Sequence, residues 1–280
     1  MVSNLSIVFI IVALIAGFLL PIGACIFIKK KFGCSIRPFF MGCLIFFTFV
    51  VVLESFVHSL ILNNSIGQGI RDNTFLFALY GGLMAGIFEE TGRLFAYKYL
   101  FRKNYRNDYD SLMYGAGHGG FEAFYILVPG MISNLVLAFM INSGKSDLLF
   151  VGQPEEAIAT IESTIDSIIS INSPVFLVSI VERISAMGIH LAMSVIVWFA
   201  VKNIKYGYYV LAILIHALID AFTVILNNYT NVAVVEIVVC IMAAGSLYLA
   251  YRTYKNEHVE PEEQPSLVPT PIPGRDLGDK

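Results

Sequence analysis

Charge is what this sequence has least of. Only 14% of its 280 residues are Asp, Glu, Lys or Arg, against about 25% in a typical soluble protein, while 57% are hydrophobic. A soluble domain of this length could not hide that much apolar surface in one core. With a mean hydropathy of +0.73, lipid must be the solvent for most of the chain, which excludes a secreted globular enzyme and a cytosolic nucleotide-binding fold. A basic footprint is missing too. The net charge is −3 and the charges sit in short clusters between apolar runs, which excludes a nucleic-acid partner. The four cysteines, Cys25, Cys34, Cys43 and Cys240, form no CxxC pair, so neither a disulfide framework nor a zinc knuckle is expected, and they read as core residues. There is no HExxH string and no internal repeat of fixed period. No basic residue precedes the first apolar run and three lysines come after it, which inverts the layout of a cleaved signal. The stretch Ile22-Gly23-Ala24-Cys25 only faintly resembles a lipobox.

What is present is a series of long apolar runs. A bilayer core about 30 Å thick needs roughly 20 apolar residues per helix. Seven segments qualify: Leu5 to Ile28, Pro38 to Leu62, Phe75 to Leu100, Leu112 to Ile141, Val175 to Val201, Tyr208 to Leu226 and Val232 to Tyr251. The expectation is an all-α, multi-pass protein of the cell membrane, with one transmembrane domain over residues 1–256. Basic residues gather in cytoplasmic loops. One side receives Lys29, Lys30, Lys31, Arg37, Lys98, Arg102, Lys103, Arg106, Lys202, Lys205, Arg252 and Lys255, and the other only Arg71 and Lys145. The N-terminus is therefore expected outside and the C-terminus in the cytoplasm. In the outer loop 142–173, Ile158, Ile161, Ile165, Ile168 and Ile169 come after Pro154 at helical spacing, which predicts an amphipathic helix on the membrane surface. The Pro-rich acidic stretch 257–280 predicts a disordered cytoplasmic tail.

Ionisable residues inside such spans are costly and mark functional sites. The third segment carries Glu89, Glu90 and Arg93, the fourth His118 and Glu122, the fifth Glu182, Arg183 and His190, and the sixth His216 and Asp220. At 1.5 Å per residue, Glu89, His118, His190 and His216 all fall about 8–12 Å from the cytoplasmic edge. Four helices thus deliver a glutamate and three histidines to one level. His58 lies about 30 Å from the cytoplasmic start of its helix, which sets it and Glu54 outside that layer. Glu89 and Arg93, His118 and Glu122, and His216 and Asp220 are spaced i,i+4 and share helix faces. Gly82 and Gly86, with Gly115 and Gly119, offer close helix approach.

The string EETGR at Glu89–Arg93 resembles the EExxxR motif of the CAAX-protease and bacteriocin-processing superfamily of intramembrane proteases. GHGGFE at Gly117–Glu122, the Glu182-Arg183 pair with His190, and HALID at His216–Asp220 look like the YhfC-type membrane peptidase family specifically. The resemblance runs in matching order from about Phe75 to Phe222. Two departures stand out: the arginine comes one residue early, and Asp220 stands where the superfamily commonly has Asn. The resemblance implies proteolysis of a membrane-embedded or membrane-associated peptide or protein, with the catalytic role on Glu89.

A glutamate sunk in apolar surroundings suits general base and then general acid work. Glu89 is assigned that role with Glu90 as partner, while Arg93 and Arg183 balance the carboxylates. His118, His190 and His216 admit two readings. They could bind zinc or another divalent metal with an open position for water, or they could donate hydrogen bonds without a metal. The competing functions are a proton- or metal-ion-coupled transporter and a non-catalytic membrane factor that keeps the same fold.

Overall fold

The computed structural model describes residues 1–101 and 107–259, and among them it is helical throughout with no strand. Nine helical stretches build the bundle: α1 (Asn4–Phe32), α2 (Arg37–Leu62), α3 (Ser65–Arg71), α4 (Thr74–Phe95), α5 (Asp110–Asn142), α6 (Glu155–Ser170), α7 (Val175–Lys202), α8 (Gly207–Tyr229) and α9 (Val232–Glu257). Six of them, α1, α2, α5, α7, α8 and α9, are long and apolar enough to cross a membrane. The seventh expected segment is also a helix, for α4 continues through a π-helical turn at Ala96–Leu100. Its Glu89, Glu90, Arg93 and Lys98 set it apart from the other six in composition. Arg102, Lys103 and Arg106, counted among the basic loop residues, and residues 260–280 of the expected tail lie outside the described residues, while Glu257 is the last residue of α9.

Local chemistry sets the helix ends. The Ser3 side chain accepts a hydrogen bond from the Ser6 amide to open α1, and Gly33 closes it at φ 66° beside Lys29, Lys30 and Lys31. This is the polarity that the helix dipole favours. Asn73 caps α4 and Asn231 caps α9 through their side-chain oxygens, supplying acceptors for amides that have no helical partner.

The bundle is built around α7. From Ala192 to Val201 every residue of α7 is buried, as expected for a helix that is apolar on all sides and lies inside a membrane protein. Helix α5 packs on α1, α2 and α7, α9 packs on α7, and α4 pairs with α8. Small residues permit the closest approaches. A Cβ on Gly82 would stand 2.3 Å from the Ala217 carbonyl oxygen, and one on Gly86 2.7 Å from that of Ile213, so the α4–α8 seam requires both glycines. Large apolar side chains such as Leu19, Phe40, Phe56, Leu218 and Ile241 point outward, where lipid meets them. The surface helix α6 turns Ile158, Ile161, Ile165 and Ile168 inward. Ile169 is exposed instead and falls off the expected apolar face.

Helix α2 is not regular. Its middle, Phe47–Glu54, is π-helical, and the amide of Ser55 reaches back to the Val50 carbonyl. The wider turn shortens the helix and rotates the residues beyond it, which leaves Glu54 buried. At the end of the bundle that carries the basic loops, Asp108 accepts from Trp198 Nε1 at 2.8 Å, Lys202 Nζ at 2.6 Å and His258 Nδ1 at 2.6 Å. Burial alone would raise the pKa of Asp108. The hydrogen bonds from Lys202, Trp198 and His258 outweigh it and hold the carboxyl below its ordinary range.

Candidate functional site

Glu89, Glu90 and Arg93 occupy the last turns of α4, where two successive carboxylates can reach different neighbours. Glu89 is 6% exposed, and Glu90 and Arg93 are not exposed at all. Around them α5 supplies His118, α7 supplies His190 and α8 supplies His216, all buried. The rings of His118 and His190 lie 5.2 Å apart, and those of His190 and His216 5.6 Å. Gly119 lets His190 in, since a Cβ there would stand 2.9 Å from the His190 Cβ.

The two glutamates have separate surroundings. Glu89 Oε2 lies 2.9 Å from His118 Nε2 and 3.5 Å from His190 Nδ1, while its Oε1 lies 3.9 Å from His216 Nε2. Glu90 Oε1 accepts from Arg93 Nη1 and from His216 Nδ1, the latter at 2.6 Å. With Nδ1 donating to that carboxylate, the His216 ring turns Nε2 toward Glu89 and toward Asp220, whose Oδ2 is 3.5 Å away. Arg93 Nη2 reaches His190 Nδ1 at 2.6 Å and Glu89 Oε2 at 3.5 Å. Behind His190, its Nε2 meets Glu122, which also accepts from Arg183 Nη1 at 2.7 Å.

A profile of the family described as YhfC intramembrane metalloprotease matches residues 16–239. The chain is also 37% identical, over 252 residues, to an uncharacterized membrane protein YhfC of Bacillus subtilis (strain 168), covering 89% of this chain and 96% of that protein. The chain belongs to the YhfC family. It is an integral, multi-pass membrane protein. No solved structure matches it.

In this YhfC-family chain a ligand atom from each of Glu89, His118 and His190 falls within 4.8 Å of the others. That corrects the all-histidine metal set expected from sequence. His216 is drawn away by Glu90, and the carboxylate of Glu89 stands where a third imidazole was expected. The set fits a divalent cation on its chemistry, for two imidazoles and a carboxylate are ordinary ligands of such ions. Glu122 behind His190 is the carboxylate–histidine arrangement that orients a ligand. Charge points the same way. The carboxylates of Glu89, Glu90, Glu122 and Asp220 face only the guanidinium groups of Arg93 and Arg183, a surplus of two negative charges. Arg93 already touches two of the three ligand atoms, so a bound cation would shift it toward Glu90.

Two further sequence-based expectations change. Glu122 shares a helix with His118 yet bonds His190 and Arg183 across to α7, because i,i+4 spacing gives a common face but not a common partner. Glu54, set outside the layer by counting residues, lies close enough to Glu89, His216 and Asp220 to feel their charge. Counting assumed 1.5 Å per residue, and the π-helical stretch breaks that assumption. His58, bonded to Glu54 at 3.2 Å and to the Tyr80 hydroxyl at 2.8 Å, stays in its own cluster.

Proposed function

We propose that this YhfC-family protein is an intramembrane endopeptidase that hydrolyses a peptide bond at the Glu89 site. The observation that carries the reading is the meeting of Glu89, His118 and His190, from three helices of a lipid-bound bundle, on a cavity of about 360 Å³ lined by Glu89, His190, His216 and Asp220. Two buried imidazoles and a carboxylate beside a water-sized space are what metal-assisted hydrolysis requires. A cation held by Glu89, His118 and His190, zinc being the first choice for such ligands, would supply Lewis acidity and a lowered pKa for water.

The side chains themselves divide the remaining work. The 3.9 Å between Glu89 Oε1 and His216 Nε2 can be spanned by one water within hydrogen-bond reach of both. In this scheme Glu89 Oε1 takes a proton from that water as it attacks the carbonyl carbon. His216, oriented by Glu90, passes a proton to the nitrogen of the leaving amine. Arg93 anchors both glutamates, and Glu122 with Arg183 fixes His190. Glu90 thus serves His216 and leaves the base role to Glu89. A kinship with the wider CAAX-protease superfamily rests on the Glu-Glu motif and the histidines alone. The alternative of an ion-coupled transporter needs a polar path between both faces, and aromatic packing on the basic-loop side of the site speaks against one.

The test is processing of co-expressed membrane peptides, monitored on gels. Glu89→Gln keeps the shape but removes the base, so product should fall by about 10² or more, while Glu90→Gln, which still accepts from His216, should be milder. Unchanged processing in Glu89→Gln with Glu90→Gln inactive would exchange the two roles. Absence of product from every peptide with wild-type protein would remove the peptidase reading.

A further inference from the structure

The proposed chemistry needs a route for water and substrate, and the two sides of the site differ. Toward the basic loops the way is packed shut. One turn beyond Arg93 on α4 stands Tyr97, one turn before His118 on α5 stands Tyr114, and two turns beyond His190 on α7 stands Trp198, none of them exposed. Ring centres of Tyr97 lie 4.8 Å from Tyr114 and 5.2 Å from Trp198, and Phe101 packs on Trp198 at 5.3 Å. These rings form one buried cluster that also includes Phe199.

On the other side the 360 Å³ cavity leads away from Glu89 and His216 between α7, α8 and α9. It passes Asp220, Thr223 and Arg183 and reaches Asn227 and Glu236. Asn227 and Glu236 flank the α8–α9 turn, which lies at the opposite end of those helices from Lys202, Lys205 and Lys255. From His216 to Asn227 is about 16 Å along the helix. The site sits nearer the basic end in depth but communicates with the far end.

We propose that the site is served from the membrane face opposite the basic loops, through this cleft, and that its occupant is an extended segment or chain end and not an intact helix. Size argues for the second part. A helix about 10 Å across running the same distance would need on the order of 1,200 Å³, several times what the cavity holds. Wall chemistry agrees: Val224, Val232, Val235 and Val239 give an apolar lining, with polar groups restricted to the ends and one side. That the extended occupant is a peptide rests on the proposed peptidase function, whereas the direction of access does not.

The experiment is cysteine labelling of the full chain with a charged, membrane-impermeant maleimide in right-side-out and inverted vesicles. The unmodified protein, with its four native cysteines, sets the background. Thr223→Cys, inside the cleft, and Asn227→Cys, at its mouth, should label in right-side-out vesicles. Leu218→Cys, which faces lipid at nearly the same depth, should stay unlabelled in both, and Lys205→Cys should label only in inverted vesicles. Each variant is first checked for a single elution peak in detergent, and Val232→Cys replaces Asn227→Cys if that one fails. Labelling of Thr223→Cys only in inverted vesicles, or no faster than Leu218→Cys, would overturn the proposal. Label without cleavage would leave the route standing and remove the peptidase reading. Cleavage without label would do the reverse.

Discussion

Gly119 offers a perturbation whose size can be worked out from the geometry. A methyl group there would lie 2.9 Å from both Cβ and Cδ2 of His190, whereas comfortable carbon–carbon contact begins near 3.5 Å. Relief therefore requires a shift of roughly 0.6 Å in His190 or in one of the two helices. The near atom is Cβ, so a rotamer change cannot clear the clash, and the ring is pinned by Glu122 on one side and Arg93 on the other. Gly119→Ala should cost about 1–3 kcal/mol in stability, as other overpacked cores do, and displace one of the three atoms of the candidate metal set. Misplacement on the order of 1 Å costs about 100-fold in rate. Gly130, on the same helix, has nothing within 4 Å of its would-be Cβ. Gly130→Ala should therefore be neutral or stabilise by about 0.5–1 kcal/mol through helix propensity alone. Melting of both variants in detergent, with metal content and processing measured alongside, checks the reasoning. Equal behaviour of Gly119→Ala and Gly130→Ala would refute it.

Two further predictions concern stability. Glu90→Ala strands Arg93 in a fully buried position and should cost about 3–5 kcal/mol, whereas Glu182→Ala, at a half-exposed partner of Arg183, should cost less than about 1 kcal/mol. Melting curves of the pair decide this, and similar losses would contradict the buried assignment of Glu90. Asp108 has its carboxyl held below the ordinary range, so the stability it contributes is complete above the unfolded value near 3.9 and fades as pH falls through the lower folded value. Asp108→Asn should lose about 1.5–3 kcal/mol at neutral pH and narrow its gap from wild type below about pH 4. A gap independent of pH would sink that account.

The fold and much of the cluster were legible because each rests on a one-dimensional signal. Apolar run length marks the spans, and an ionisable residue inside a run marks itself by its cost to lipid, which is how Glu89, His118, His190 and His216 can be found from sequence. What stayed hidden depends on helix rotation and on cross-helix partners. Nothing in FTFVVVLE announces a π-helical stretch, so residue counting sets Glu54 too far from Glu89. Spacing on one helix joins Glu122 to His118, yet the guanidinium of Arg183 and the ring of His190 on α7 claim it. Three histidines at one depth suggest an all-imidazole metal set, but Glu90 one residue after Glu89 captures His216. The direction of access was equally beyond residue counting, since it depends on which side of the site Tyr97, Tyr114 and Trp198 happen to fill.

The account turns on the sorting of the histidines, and metal content of the purified protein tests that most directly. Elemental analysis of wild type should find about one divalent ion per chain, zinc being the ligand-matched choice. The ion should be lost in His118→Ala and in His190→Ala, and kept in His216→Gln, where the side chain can still meet Glu90. A metal-free wild type after purification with zinc present, or an ion lost in His216→Gln but kept in His118→Ala, would contradict it.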